Sequence, residues 1–337
     1  MVNSELARFS REISGQNLMP LWERTTRMQP GSPCVPMIWH YEDLRPLLMR
    51  AADLITARAA ERRVLVLENP NLRGTSYITN SLYAGLQVIM PGEIAPAHRH
   101  SPSALRFVLE GQGAYTAVAG ERTPMRPGDF VVTPNWTWHD HGNLGSGPVV
   151  WMDGLDTPFA QFFGAIFRED YPDESHPISH REGDAAAGYG SNLLQVDYRP
   201  DGLASPILRY PYERTREALE HLARGGPIHP ACGVRLRYAN PANGRYPFPT
   251  MAVFMQWLPK GFAGRSYRST DSTVFNVVEG RGSVHIGEER YPFTPQDVFV
   301  APSWQPYRFN ADTECVLFSF SDRAGQEALG FWREQFD

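Results

Sequence analysis

Four of the ten histidines fall in two short runs, His98-Arg99-His100 and His139-Asp140-His141. Side chains two apart on a β-strand share a face, so His98 and His100 point together to one side and Arg99 to the other. A later strand that brings His139 opposite them sets three neutral imidazoles around one face of a divalent ion and leaves its other positions open. An open face belongs to a working site, because a structural site is closed by protein ligands. His141 shares the face of His139, but a fourth protein ligand would take a position that the chemistry needs, so His141 is placed behind the ligands. Asp140 should point the opposite way, solvated or bonded to the backbone. His40, His176, His180, His221, His229 and His285 read as ordinary core or surface residues.

Continuing the alternation from His100 puts Ala104 and Arg106 on the interior face as well. A guanidinium inside a fold needs an anion, and no acid occupies the neighbouring inward slots. An incoming substrate carboxylate, held by a charge-assisted pair, is the natural partner. A salt bridge to a distant acid such as Asp153 or Asp156 is the alternative. The earlier segment Leu82 to Met90 also alternates and offers Tyr83, Gly85 and Gln87 on one face. Glycine within a strand often marks the close approach of a ligand. Tyr83 and Trp138 could wall an aromatic slot and Gln87 could bond a ring substituent, although such residues serve equally well as plain core.

The elements that must carry these residues are repeated. Leu109-Glu110-Gly111-Gln112-Gly113 followed by Pro127-Gly128-Asp129-Phe130-Val131-Val132-Thr133-Pro134-Asn135-Trp136 recurs as Val278-Glu279-Gly280-Arg281-Gly282 and Pro295-Gln296-Asp297-Val298-Phe299-Val300-Ala301-Pro302-Ser303-Trp304. Two copies of one β-barrel follow. Short β-rich segments between Gly and Pro turns suit an all-β double barrel. In the second copy His98 maps to Tyr267, His100 to Ser269 and His139 to Tyr307, so that barrel is expected to be metal-free and structural. The expected organisation is a helical arm over 1–79, a metal-binding barrel over 80–160, an inter-barrel segment over 161–245, a second barrel over 246–323 and a terminal helix over 324–337. One apolar stripe predicts a helix from Tyr41 to Arg62. A second helix is predicted from Tyr212 to Arg224, closed by Gly225-Gly226. The inter-barrel segment is too long for a linker and is expected to lend strands to the barrels and surface to a subunit contact.

With 337 residues and 42% hydrophobic content, the chain can fill two cores. A net charge of −5 without a basic stretch offers no footprint for nucleic acid or an anionic membrane. Small molecules are the better partner class. Cys34, Cys232 and Cys315 are widely spaced, lack CxxC spacing and fit a reducing cytoplasm. No apolar run reaches membrane-spanning length, and the polar Met1 to Arg11 lacks an apolar signal core.

The spacing Gly92, His98, His100, Gly111 and then Gly128, Pro134, His139, Asn143 resembles the cupin pattern, with Ala104 in its Glu slot and Trp136 in its inner Gly place. Cupin isomerases and oxalate-cleaving enzymes usually need the acidic ligand that Ala104 replaces. The run from His98 to Phe107, with Gly120-Glu121-Arg122-Thr123 and Trp136-Thr137-Trp138-His139-Asp140-His141-Gly142-Asn143, is similar to the gentisate 1,2-dioxygenase family, from about Arg62 to Ser321. The family includes relatives acting on salicylate, substituted salicylates and 1-hydroxy-2-naphthoate. The resemblance implies a bicupin, usually a homotetramer, with one Fe(II) per chain held by His98, His100 and His139. It further implies a substrate site lined by Arg106, His141, Gln87, Tyr83 and Asp153, with a contact from Arg62 or Arg63. The implied reaction inserts O2 between the carboxyl-bearing and hydroxyl-bearing ring carbons of an aromatic hydroxy acid, with His141 moving protons and Asp153 orienting it. Gly85 would leave room for a ring substituent. A cupin that merely stores nutrients or senses a ligand has no reason to keep an open three-histidine face beside a buried arginine.

Overall fold

The alternating stretches form strands, and the two copies of the repeat form the same barrel. The computed structural model describes residues 2–191, 193–199 and 202–336. The first copy comprises β1 (Tyr83–Ile89), β2 (Ile94–His100), β3 (Ala104–Glu110), β4 (Ala114–Val118), β5 (Glu121–Pro124), β6 (Phe130–Thr133), β7 (His139–Asn143) and β8 (Val149–Leu155). The second comprises β9 (Ala252–Leu258), β10 (Tyr267–Ser269), β11 (Thr273–Glu279), β12 (Gly282–Ile286), β13 (Glu289–Phe293), β14 (Val298–Ala301), β15 (Tyr307–Ala311) and β16 (Cys315–Ser321). In the first barrel one sheet runs β6-β3-β8-β1 and the other β2-β7-β4-β5. The second repeats this order strand for strand as β14-β11-β16-β9 and β10-β15-β12-β13. The molecule is an all-β bicupin.

The barrels pack back to back. Leu105, Phe107, Phe130 and Met152 from the first meet Val253, Met255, Val274, Phe318 and Phe320 from the second in one buried cluster. At its centre Phe107 stacks on Phe318 with 4.0 Å between ring centroids. Burying such side chains contributes roughly 1.5–3 kcal/mol each.

The connecting segments are exchanged between the copies. Met37–Trp39, which precedes the first barrel, pairs with β14 of the second. Arg209–Tyr210, which precedes the second barrel, pairs with β6 of the first. Each short strand leads into a helix, Tyr41–Leu54 and Tyr212–Arg224. The opposite barrel supplies a carboxylate to each helix's N-terminal amide: Tyr41 N donates to Asp297 at 2.8 Å and Tyr212 N to Asp129 at 3.0 Å. A carboxylate there satisfies an orphan N–H and the positive end of the helix dipole. The inter-barrel segment also lends Arg168–Asp170 to β2 and Val234–Arg237 to β9.

Some boundaries differ from expectation. The first helix stops at Leu54 instead of running to Arg62, because Ile55 is extended and its carbonyl is taken by the Arg63 guanidinium at 2.7 Å. The C-terminal segment is a short helix, Arg323–Ala328, followed by a strand, Glu334–Phe336, which pairs with β10. The N-terminal stretch is not of one piece. Met1–Gly31 is a compact unit carrying the helix Val2–Ser14, and Ser32–Asp337 is another.

Candidate active site

β2 and β7 are antiparallel neighbours, and His98 stands directly opposite His139 in their register. A bulge between Ala95 and His98 re-aims the end of β2, as bulges beside functional sites do. The rings of His98, His100 and His139 lie 4.5–5.3 Å apart between centroids. One nitrogen from each comes within 4.8 Å of the others, a spacing that fits one ion. His100 Nδ1 lies 2.7 Å from the Pro102 carbonyl and His139 Nδ1 lies 2.9 Å from that of Thr137. Each of these nitrogens therefore donates and is protonated, which leaves Nε2 with its lone pair free to bind a metal. His139 Nε2 is buried without a partner among the described residues. Burial, aided by the positive charges of Arg62 and Arg106, holds all three imidazoles well below their ordinary pKa, so they are neutral.

His98 is held differently. Its Nδ1 lies 2.8 Å from the Arg62 guanidinium, which can only donate, so here the His98 lone pair faces Arg62 and ligation through Nε2 requires that contact to break. Arg62 also donates to the Pro96 carbonyl at 2.9 Å. Arg62 is thus at the site, while Arg63 is spent on Glu93 and Ile55 and is structural. The sequence offered no signal for separating these two adjacent arginines.

His141 follows His139 on the inward face, 5.7 Å away between centroids, and is fully buried with neither ring nitrogen bonded to any of the described residues. Burial drives its pKa far down as well, so it is a neutral imidazole. Asp153 does not orient it: the Asp153 carboxylate accepts from Trp151 Nε1 at 3.0 Å and faces Arg106.

Arg106 is inward and buried, but it has an acid beside it after all. Asp153 is its register partner across β3 and β8, with Oδ1 3.4 Å from Arg106 Nε, and Thr133 Oγ1 accepts from Nη1. The expectation of no neighbouring acid failed because strand pairing, invisible in the sequence, sets Asp153 opposite. The contact to Asp153 is ionic only, and Arg106 Nε–H still has no acceptor among the described residues. Burial raises the Asp153 carboxyl to about 6 against the pull of Arg106.

Gln87 is buried on β1, between Val64 and Trp151 in register. Tyr83 is half-buried at the start of β1, its phenol pushed well up by burial and by Asp153. Gly85 makes no room for a ligand. A Cβ there would lie 2.5 Å from Val64 Cγ1 and 3.0 Å from the Tyr83 hydroxyl, so the glycine admits the edge strand Val64–Val66. Trp138 is not in the slot either. It alternates outward with Asp140, its ring 4.5 Å from the Arg99 guanidinium and 4.9 Å from Tyr171.

Asp140 faces outward as expected, but it is neither solvated nor bonded to the backbone alone. It is buried, and its Oδ2 accepts from His176 Nδ1 at 2.6 Å and from His176 N at 3.1 Å. His176 Nε2 in turn accepts from Gly120 N at 3.0 Å, which fixes the neutral tautomer.

A three-histidine cluster with a neutral histidine and a buried arginine behind it can hold a divalent ion and an anionic ligand side by side. The cupin domain model matches residues 85–155 and 253–321, the two barrels. The chain is 50% identical over 336 residues to gentisate 1,2 dioxygenase 1 of Aquipseudomonas alcaligenes, covering 99% of this chain and 97% of that one. It is 34% identical to 5-aminosalicylate 1,2-dioxygenase of Comamonas sp, covering 98% and 90%. The crystal structure of a salicylate 1,2-dioxygenase from Pseudoaminobacter salicylatoxidans, as adducts with gentisate, superposes with a TM-score of 0.91 at 34% identity, covering 99% and 94%. The chain belongs to the gentisate 1,2-dioxygenase family, bicupin ring-cleaving dioxygenases that use a metal cofactor.

Proposed function

We propose that the protein is an Fe(II)-dependent gentisate 1,2-dioxygenase with one iron per chain, which inserts O2 between the carboxyl-bearing and hydroxyl-bearing ring carbons. The observation that carries this reading is the triad, three imidazole nitrogens within 4.8 Å of one another, with two of the three rings held by backbone carbonyls through Nδ1. The 50% identity to a gentisate dioxygenase favours gentisate over other aromatic hydroxy acids.

His98, His100 and His139 would hold the iron. Three neutral ligands leave Fe(II) its full formal charge, which suits it to a carboxylate and phenolate bound together and to activation of O2. The protein supplies the rest. Arg106 offers an unspent Nε–H and Arg62 a half-buried guanidinium, both suited to the substrate carboxylate. The Gln87 amide, facing the same interior, suits a ring oxygen. His141 carries one proton on its neutral ring and would supply it as a general acid to oxygen at the site. The apolar floor of Ile89, Val108, Val131, Val149 and Trp151 keeps water from the ring.

We further propose a homotetramer in the cytoplasm. Exposed Phe162, Phe163, Phe167, Leu193 and Leu203 on the inter-barrel segment support a subunit contact. Three free thiols support a reducing compartment. No described helix is long and apolar enough to cross a membrane.

The test is anaerobic loading with Fe(II), metal analysis, and oxygen uptake across gentisate, salicylate, 5-substituted salicylates and 1-hydroxy-2-naphthoate. One iron per chain and the highest kcat/KM on gentisate are expected, with iron and turnover lost together in His98→Ala and His139→Ala. Iron near two per chain, or iron-replete protein that consumes no oxygen with any of these acids, would overturn the reading.

A further inference from the structure

The second barrel retains buried polar groups that the fold leaves without partners. Val253 and Met255 of β9 belong to the core between the barrels, so the alternation turns Gln256 into the second barrel. Gln256 is 1% exposed and its Nε2 has no acceptor among the described residues. Its register partner on the strand Val234–Arg237 is Arg235. Val234 and Leu236 pack against the inter-barrel core, which sends Arg235 to the same side as Gln256. The Arg235 guanidinium lies 4.0 Å over the Phe254 ring, and its Nε–H is buried without an acceptor among the described residues. Ser319 Oγ, on the strand that pairs with Phe254, is likewise buried and unbonded.

The other sheet completes the surroundings. Tyr267 and Tyr307 pair in register as His98 and His139 do in the first barrel, with their rings edge to face at 5.5 Å. Both lie within electrostatic reach of Arg235, as do the Cys232 thiol and Asp271. Asp271 already accepts from Trp332 Nε1 and lies beside the Thr273 hydroxyl. The correspondence between barrels is close: Gln256 holds the place of Gln87, each paired with the short strand before its barrel. Where Val64 pairs with Gln87, Arg235 pairs with Gln256, so the metal-free barrel has gained a cation beside the glutamine.

We propose that the second barrel is a metal-free binding site for a small organic carboxylate, headed by Arg235 and Gln256, with an aromatic body lying on Phe254 and the tyrosine rings. One guanidinium fork and one amide NH2 match the two oxygens of a carboxylate. Aromatic walls with a few convergent polar groups favour a flat apolar ligand. This site does not depend on the reaction proposed for the first barrel.

The probe is radiolabelled benzoate, which lacks the ring hydroxyl, in equilibrium dialysis against the metal-loaded enzyme under anaerobic conditions. The expected result is a component of one benzoate per chain that disappears in Arg235→Leu and weakens about tenfold in Gln256→Leu. Metal content and thermal unfolding should stay those of the parent. Equal total benzoate binding by the parent and a folded Arg235→Leu overturns the proposal. Should Arg235→Leu fail to fold, Gln256→Leu decides, and undiminished binding there overturns it equally.

Discussion

His141 is the residue whose state most directly reports on its task. Two unbonded nitrogens on a fully buried ring are costly, at about 1–3 kcal/mol for each unsatisfied group, and a bound substrate would supply their partners. His141→Ala should keep its metal and bind aromatic acid, yet slow single turnover by about 10²–10⁴-fold. A metal-free variant would make His141 a ligand, and a fully active one would move the proton donor elsewhere. Arg106 has two possible employers, Asp153 and the substrate, and a pair of variants separates them. Arg106→Ala strands the buried Asp153 carboxylate, at a cost of about 3–5 kcal/mol. Adding Asp153→Asn should restore stability but leave acid binding about ten- to a hundredfold weaker. Parent-like binding in the double variant would assign Arg106 to structure alone. Asp153 also carries a pH signature. Its carboxyl is raised from 3.8 to about 6, so its contribution to stability is present below about 4 and lost as pH rises through about 6. Asp153→Asn should flatten that part of the profile in denaturation at pH 5 and pH 7.

At the scale of elements, the ligand-bearing strands are tied together from outside. Arg168–Asp170 pairs with His98–His100 on β2, and the chain continues to His176, which bonds Asp140 on β7 and Gly120 beyond β4. This segment thus contacts both β2 and β7, whose own pairing sets His98 opposite His139, and braces that register from outside. Asp140→Ala should therefore weaken metal binding about ten- to a hundredfold, the usual effect of losing support behind a metal ligand. Competition for the metal with a chelator measures this. Lower stability with unchanged metal affinity would reduce the pair to a surface clasp. Register carried this information: alternation showed that Asp140 faces away from the histidines, but not that a histidine far along the chain would meet it.

Across the whole molecule, the exchanged strands and helix-capping carboxylates make the two barrels one unit. Asp297 of the second barrel caps the helix that precedes the first, and it also lies 3.0 Å from His40 Nδ1. Asp297→Ala should cost about 1.5–3 kcal/mol, one charge-assisted bond. In denaturant, tryptophan fluorescence and metal release should shift together, because barrels joined reciprocally unfold in one transition. Separate transitions would show that the barrels are independent. The sequence by itself determined the repeat, the all-β class, the clustering of three histidines and the helix over Tyr212–Arg224, because strand alternation, helical periodicity and motif spacing are local properties. Only the tertiary structure decided which groups face one another across strands. It paired Arg106 with Asp153, turned Trp138 outward, filled the space beside Gly85 with Val64, brought His176 to Asp140 and laid Arg62 on His98. Each of these depends on register or on a loop's return across long stretches of chain, and hydrogen bonding between strands fixes register only after the barrels have closed.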